Sequence, residues 1–248
     1  MRKEHAPIDA LAFSPLGEYV MIGNRTPFFE ALAAVSGQPI FTAGVQTSDG
    51  VREMAFSRNG RIFAVLTQAE EIRVYETSGW KEAAVIEHAG SNGLALSPDG
   101  ALVASGLFSP EARIWEVRSK KIIRTIRVKG GRRPSVFMDG EQRRRQLWKA
   151  VWRVEFSPDK KKLATATDGY IQLWNLETGM ELAAVKSGGR AGTLAFSNDG
   201  ERIGWATWKG ELRIWDIDSH RLLQVKIPTI LGVVAFSSDF GRAYVPDW

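Results

Sequence analysis

The sequence has no cysteine and only three histidines. Without cysteine the chain can form neither a disulfide framework, nor a thiolate nucleophile, nor a cysteine-based zinc site, which fits a reducing compartment. His5, His88 and His220 lie far apart, and no pair of them has the spacing of a metal-ligating helix or loop. We therefore expect neither a metal site nor a bound cofactor.

The chain also lacks long apolar runs. No segment approaches the eighteen residues of a membrane-spanning helix, and the N-terminus has neither an apolar signal core nor a small-residue cleavage site. We therefore expect a cytoplasmic protein with no membrane partner. Hydrophobic residues make up 44% and charged residues 25% of the 248, which is typical of a soluble domain with a buried core.

The positive charge is concentrated in one stretch. The chain has a net charge of +5, but residues 127–150 alone carry eight Lys or Arg against two acidic residues. Because that stretch contributes +6, the rest of the chain is close to neutral, at −1. Any electrostatic argument about partners must therefore be made for this segment and not for the whole surface.

A short apolar phrase followed by Ser recurs six times: LAFSPLG, MAFSRNG, LALSPDG, VEFSPDK, LAFSNDG and VAFSSDFG. The residues before its serine are Phe13, Phe56, Leu96, Phe156, Phe196 and Phe236. The steps between them are 43, 40, 60, 40 and 40 residues. A repeat of roughly forty residues is typical of a four-stranded propeller blade, and the long step indicates one insertion.

Each repeat contains four short apolar runs separated by turn residues. In the fourth repeat the runs are VEFS, LATA, YIQLWNL and ELAAV, with PDKK, TDG and ETGM between them. Pro158 suits the first corner of a turn, whereas Gly169 and Gly179 tolerate the positive φ of hairpin turns. The pattern predicts four antiparallel strands in each unit.

The third strands carry an aromatic residue at the same position of the repeat, namely Tyr75, Trp115, Trp174 and Trp215. Together with the SPDG and ETG turns, these residues resemble WD40 repeats, although only Trp215-Asp216 shows the literal dipeptide. The resemblance implies an all-β propeller of four-stranded antiparallel blades with six repeat units. It covers residues 8–248, preceded by a lead-in over residues 1–7. We expect the aromatics to pack between neighbouring blades.

The sequence departs from the family pattern at one hydrogen-bond network. The Gly-His pair that often precedes the first strand is absent, and His88 in IEHAG is the nearest candidate. The Asp-His-Ser-Trp network of the family is therefore expected to be incomplete. Asp168 matches the structural Asp of that network, but without the histidine the sequence does not identify its hydrogen-bond partner.

The sixth unit is expected to be incomplete. In earlier units the third-strand aromatic follows the phrase by 18 or 19 residues, so from Phe236 it would fall near position 255, beyond Trp248. The last unit should therefore have only two strands. Three explanations are open: the chain is a fragment, a partner or second copy supplies the missing strands, or the ring stays open with a blocked edge. We favour completion from elsewhere, since a long unpaired edge promotes aggregation.

The long step contains a basic insertion rich in aromatics, and the resemblance places its loop on the upper rim, where WD40 propellers most often receive partners. Arg and Trp together suit an acidic protein surface or, through residues 127–153, a nucleic acid. The candidate binding residues are Arg132, Arg133, Arg143, Arg144, Arg145, Trp148, Lys149 and Trp152, with Trp208 and Lys209 from the fifth unit.

Two other interpretations of the insertion stay open. One is a solvated loop whose charges serve solubility alone. The other is a short helix over residues 140–152 that packs on the rim, in which case Trp148 and Trp152, four residues apart, would anchor it.

The sequence contains no arrangement typical of an enzyme. We find no nucleophile paired with a base, no spaced carboxylate pair and no phosphate-binding glycine loop, since the Asp-Gly and Asn-Gly pairs are explained by hairpin turns. We therefore expect no catalytic residues. The function we predict is that of an interaction scaffold or sensor module, as a subunit or fragment of a multi-protein assembly, and the alternative is a nucleic-acid-binding subunit.

Overall fold

The computed structural model describes residues 8–26, 28–44, 50–87, 89–90, 92–129, 150–227, 234–237 and 239–244. All regular secondary structure in these ranges is β-strand. The part of the chain that they cover has no helix long and apolar enough to span a membrane. The predicted lead-in and residues 130–149 of the insertion lie outside the described residues.

Five antiparallel sheets of four strands follow one another along the chain, and each takes its strands in chain order. Blade 1 consists of β1 (Ile8–Phe13), β2 (Tyr19–Asn24), β3 (Phe28–Ala33) and β4 (Pro39–Gly44). Blade 2 consists of β5 (Val51–Phe56), β6 (Ile62–Thr67), β7 (Ile72–Glu76) and β8 (Lys81–Ile86). Blade 3 consists of β9 (Asn92–Leu96), β10 (Leu102–Gly106), β11 (Glu111–Glu116) and β12 (Lys121–Arg127).

The fourth and fifth blades repeat this order, and a smaller sheet follows them. Blade 4 consists of β13 (Arg153–Phe156), β14 (Lys162–Ala166), β15 (Tyr170–Asn175) and β16 (Glu181–Lys186). Blade 5 consists of β17 (Ala191–Phe196), β18 (Arg202–Thr207), β19 (Glu211–Asp216) and β20 (Leu222–Lys226). The sixth sheet contains β21 (Ala235–Phe236) and β22 (Ala243–Tyr244). The predicted propeller of four-stranded antiparallel blades is confirmed, and the described residues of the sixth unit form a partial sheet.

The serine of the repeated phrase fixes the turn between the first two strands. In blade 4 the Ser157 hydroxyl accepts a hydrogen bond of 2.8 Å from the backbone N–H of Lys162 and donates one of 2.6 Å to Asp159. Ser97 forms the same pair of bonds in blade 3. In blades 2 to 5 the phrase therefore recurs because a buried serine and an Asp or Asn two residues later close the turn without help from the rest of the blade.

The apolar cores lie between blades and not within them. Four clusters join blade 1 to 2, 2 to 3, 3 to 4 and 4 to 5. The third-strand aromatics Tyr75, Trp115, Trp174 and Trp215 are all buried in these clusters. Their predicted packing between neighbouring blades is confirmed. The sixth sheet packs on blade 5, where a Cβ added to Gly204 would lie 2.8 Å from the Phe236 ring.

Part of the WD40 hydrogen-bond network is present in blade 4. The Trp174 indole Nε1 donates a buried hydrogen bond of 2.9 Å to Thr165 Oγ1, so threonine stands where the family pattern has serine. His88, the candidate for the histidine, lies outside the described residues. Asp168 lies on the turn between β14 and β15, where the sequence placed it.

One face of blade 1 is uncovered. Leu11 is 51% exposed and Phe13 is 64% exposed. The residues at the position of Leu11 in the next four blades, Met54, Leu94, Val154 and Leu194, are at most 8% exposed because the preceding blade covers them. Blade 1 therefore presents the type of face that receives another blade elsewhere in the ring, and nothing in the described part of the chain covers it.

Candidate functional site

The turns that join second to third strands and the segments that precede first strands come together at one end of the propeller, which we call the upper face. Backbone hydrogen bonds tie the two kinds of segment together within a blade. The N–H of Trp208 donates to the Arg190 carbonyl at 3.0 Å, and the N–H of Gln68 donates to Gly50 at 3.0 Å. Side chains from different blades can therefore meet on this face.

Five side chains form a continuous row across the upper face, which we call the aromatic–arginine row: Arg52, Phe108, Trp152, Arg190 and Trp208. Arg52 Cζ lies 5.9 Å from the Phe108 ring centroid, and the Phe108 and Trp152 rings meet edge to face at 6.2 Å. Arg190 Cζ lies 3.6 Å from the Trp152 ring centroid and 5.0 Å from that of Trp208. The row crosses blades 2 to 5, so its side-chain contacts depend on the packing of neighbouring blades against each other.

Trp152 is the fixed centre of the row. Its side chain is only 8% exposed, and its backbone N–H donates to the Ala166 carbonyl at 2.8 Å. Phe108 and Trp208 are 39% and 44% exposed, so both present apolar surface to solvent. The row therefore combines a rigid buried indole with two accessible rings.

Asp168 lies beside the centre of the row. Burial raises the pKa of its carboxyl, while the charge of Arg190 and the nearby Trp152 side chain oppose that rise. Burial likewise lowers the pKa of Arg190, and the Asp168 charge opposes that shift. The indole Nε1 of Trp152 is buried and has no hydrogen bond of normal geometry to a described residue. This corner of the row thus brings Asp168, Arg190 and the buried Trp152 indole close together, partly shielded from solvent.

A second polar group lies deeper, on the innermost strands. Arg153 Nη1 lies 3.8 Å from Glu53 Oε2, and Arg153 Nε donates to the Gly192 carbonyl at 2.9 Å. Burial raises the pKa of Glu155 to about 8, and the charge of Glu53 adds to the rise. Near neutral pH the Glu155 carboxyl is therefore largely protonated. No group of three or more His, Asp or Glu side chains in the described ranges is arranged to hold a metal ion.

Both ends of the basic insertion are anchored on the upper face. At its start, the backbone N–H of Lys129 donates to the buried Gln172 side chain at 3.0 Å. At its end, residues 150–152 run without helical structure into β13. The insertion therefore leaves and re-enters the propeller beside the aromatic–arginine row.

The structure brings together two of the ten predicted binding residues. Trp152 and Trp208 belong to the row, and Lys209 is exposed directly after Trp208. The other seven lie outside the described residues: Arg132, Arg133, Arg143, Arg144, Arg145, Trp148 and Lys149.

The sequence did not single out Arg52, Phe108 or Arg190. Arg190 and Trp152 each stand just before a first strand, and Phe108 stands at the same turn of its blade as Trp208. That positional equivalence within the repeat is the signal by which they could have been found.

These blades and their upper face define a β-propeller. Residues 145–175 match the family model described as WD domain, G-beta repeat. The matched segment contains Trp152, Thr165 and Trp174. The resemblance to WD40-repeat propellers is confirmed.

Among solved structures, the chain is similar to the crystal structure of the Cps50 (Swd1) β-propeller domain of Myceliophteria thermophila. The TM-score is 0.76 at 14% identity, over 97% of this chain and 80% of that chain. At this identity the likeness shows the fold alone. No curated protein matches the sequence. Since 1761 chains of solved structures match, the fold does not identify a partner, and function must be argued from the site.

Proposed function

We propose that the chain is a non-enzymatic interaction scaffold, a subunit of a protein assembly, which binds a protein partner through the upper face and the basic insertion. The observation that carries this proposal is the aromatic–arginine row. Trp and Arg are the residue types that most often dominate binding energy at protein interfaces, above all around well-packed anchors. Trp152 and Arg190 are such a packed pair, and Trp208 and Phe108 offer accessible apolar area around them.

The charges of the described upper face favour protein over nucleic acid. Affinity for nucleic acid depends on cations free to neutralise phosphates. Arg52 donates to the Gln68 side chain at 2.8 Å, and Arg153 lies 3.8 Å from Glu53, so two arginines of this face are already engaged by the chain itself. The cations of the insertion could still serve a nucleic acid, so that alternative becomes an outcome of the test.

Capture of partners from the native source, with and without nuclease, tests the proposal. We expect nuclease-resistant capture of a defined protein, and we expect Trp208→Ala to weaken it by about tenfold or more. Arg118→Ala is the matched control, since Arg118 is an exposed residue on a turn at the opposite end of its blade. Capture that is lost on nuclease treatment, falls steeply with salt and disappears on reversal of Arg143, Arg144 and Arg145 would assign the face to nucleic acid instead.

We also propose that β-strands from outside the described residues cover blade 1 and complete the sixth sheet. The supporting observation is the bare apolar face of Leu11 and Phe13, since the counterparts of Leu11 in the next four blades lie against a neighbouring sheet. A partner polypeptide that contributes such strands would bury this face and pair the open edge of β22.

Native mass spectrometry tests ring completion. We expect a mass above that of one chain, and we expect Leu11→Asp to reduce the complex to a single chain. Leu16→Asp is the control, because Leu16 is 80% exposed on the turn after β1 and away from that face. A stable single chain at high dilution, with the Leu11 face open to solvent, would contradict the proposal, and a mass of two chains would assign the cover to a second copy.

A further inference from the structure

Arg190 stands out among the arginines of the upper face because its guanidinium is held by aromatic rings and not by acceptors. Its Cζ lies over the Trp152 ring at 3.6 Å and over the Trp208 ring at 5.0 Å. Arg52 and Arg153, by contrast, donate to acceptors of the same chain. Within the part of the chain that the structure describes, Arg190 forms no ion pair and donates no hydrogen bond.

Stacking fixes the plane of a guanidinium but leaves its N–H edge free. That edge carries donors in the fork geometry that matches two oxygens of a carboxylate. Because Trp152 is buried and tied to blade 4, it holds the plane of Arg190 in place before any partner arrives. Such an arrangement reduces the conformational entropy that a long side chain loses on binding.

We propose that Arg190 is an anchor for a carboxylate side chain of a partner protein, presented within a short acidic and apolar segment. This inference rests on the proposed function and names the chemistry of the partner. The carboxylate pairs with the N–H edge of Arg190, while neighbouring apolar side chains contact Trp208 and Phe108, the two exposed rings of the row. Lys209, exposed beside Trp208, adds positive charge at the edge of the same site.

Asp168 limits what a second negative charge on the ligand gains. Asp168 is close enough to Arg190 for each to shift the pKa of the other. A phosphate group, which carries close to two charges near neutral pH, doubles the repulsion by Asp168 as well as the attraction by Arg190. The comparison of the Glu and phosphoserine peptides below therefore tests the choice of a carboxylate directly.

Synthetic peptides test this assignment directly, because a change at a single position compares one ligand chemistry with another. The probe is a terminally blocked peptide, Gly-Ser-Leu-X-Phe-Ser-Gly, with X as Asp, Glu, Asn, Gln or phosphoserine. Binding is measured by titration against the full chain, following the side-chain N–H signals of Arg190 and of the indoles by NMR. We expect Asp and Glu peptides to bind at least about tenfold more tightly than Asn and Gln peptides, because a charge-assisted pair is stronger than a neutral one.

Arg190→Lys separates the forked guanidinium from mere positive charge. It keeps the charge and is tolerated at an exposed position, so we expect the tenfold preference for carboxylate to fall to about twofold. Arg118→Lys should leave the preference unchanged. The inference is overturned if Asn and Asp peptides bind equally, if phosphoserine binds more tightly than Glu, if Arg190→Lys has no effect, or if no acidic peptide binds at millimolar concentration.

The same variant distinguishes this inference from the proposed function. If partner capture survives Arg190→Lys but is lost in Trp208→Ala, the upper face binds protein without using a carboxylate anchor. If no protein is captured by the wild-type chain, the scaffold proposal itself fails.

Discussion

The indole Nε1 of Trp174 donates a hydrogen bond of 2.9 Å to the Thr165 hydroxyl in the interior of blade 4. Blade 4 is also the unit that matches the WD40 family model. The other blades differ at the position of Thr165. Blade 2 has the buried Val65 there, in blade 3 the Ser105 hydroxyl donates to the Ala89 carbonyl, and in blade 5 the indole Nε1 of Trp205 donates to the Ser187 carbonyl. A family-type polar pair thus survives in the most typical repeat, while apolar packing and backbone acceptors replace it elsewhere.

Thr165→Val is expected to destabilise the fold by about 1–3 kcal/mol, because it leaves the buried Trp174 N–H without an acceptor at nearly unchanged volume. Urea unfolding followed by tryptophan fluorescence measures this difference. Thr178→Val, at an exposed turn position, should change stability by less than about 0.5 kcal/mol. In a Trp174→Phe background, Thr165→Val should lose most of its effect, and full additivity would contradict the pairing.

Ser157→Ala is expected to cost about 1–3 kcal/mol, since the hydroxyl is buried and serves both Lys162 N–H and Asp159. Thermal unfolding by circular dichroism provides the measurement. Ser119→Ala is the control, because the Ser119 hydroxyl accepts only a 3.4 Å contact at the surface. Equal stability of the two variants would show that the repeated serine does not fix the turn.

Gly106→Ala is expected to destabilise the chain by about 1–3 kcal/mol. Its Cβ would lie 2.2 Å from the Val151 carbonyl oxygen, so the segment that ends the insertion would have to move. Because Val151 precedes Trp152, the tryptophan fluorescence of the folded state should change as well. Gly189→Ala should be nearly neutral, since its Cβ would meet only the Lys209 side chain at 3.5 Å or more.

Glu155→Gln is expected to stabilise the protein at pH 8–9 and to have little effect near pH 4. Burial raises the pKa of Glu155 from 4.5 to about 8, so the folded state keeps its proton while the unfolded state loses it. The contribution of this group to stability is therefore fully present below pH 4.5 and is lost as the pH rises to about 8. The glutamine variant, which does not titrate, should gain up to about 5 kcal/mol above that pH, since each tenfold change in proton affinity corresponds to about 1.4 kcal/mol.

Stability curves measured from pH 4 to pH 9 test this sign. Glu53→Gln is the matched comparison, because Glu53 lies against Arg153 and accepts hydrogen bonds from the backbone of Gly93 and Leu94. Burial raises the pKa of Glu53 as well, but the charge of Arg153 and the backbone hydrogen bonds oppose that rise, so a smaller gain is expected. A Glu155→Gln curve parallel to that of the wild type would contradict the assigned shift.

The sequence predicted the repeated elements and the apolar cores between them, but not the polar and cation–aromatic contacts between blades. Phe156, Trp174 and the Asp-Gly turns recur at fixed spacing, so the blades and their inter-blade cores followed directly. Arg190 is different, because it contacts Trp152 of the preceding blade as well as Trp208 of its own, and the first contact forms only when the two blades pack together. The pairing of Glu53 with Arg153 spans a hundred positions and has no local signature.

Blade 1 shares an apolar core with a neighbouring blade on one side only, so we expect it to unfold locally before the other blades. Blades 2, 3 and 4 each share a core with two neighbours, and blade 5 shares one with blade 4 and also contacts the sixth sheet. Blade 1 shares a core with blade 2 alone. As long as the Leu11 face stays bare, this blade has the smallest free energy of local opening among the five. Amide exchange in the native protein should therefore be fastest in β1 to β4 and slowest in blades 3 and 4. If the proposed partner covers the Leu11 face, its binding will slow exchange in blade 1 and lengthen the lifetime of the folded propeller.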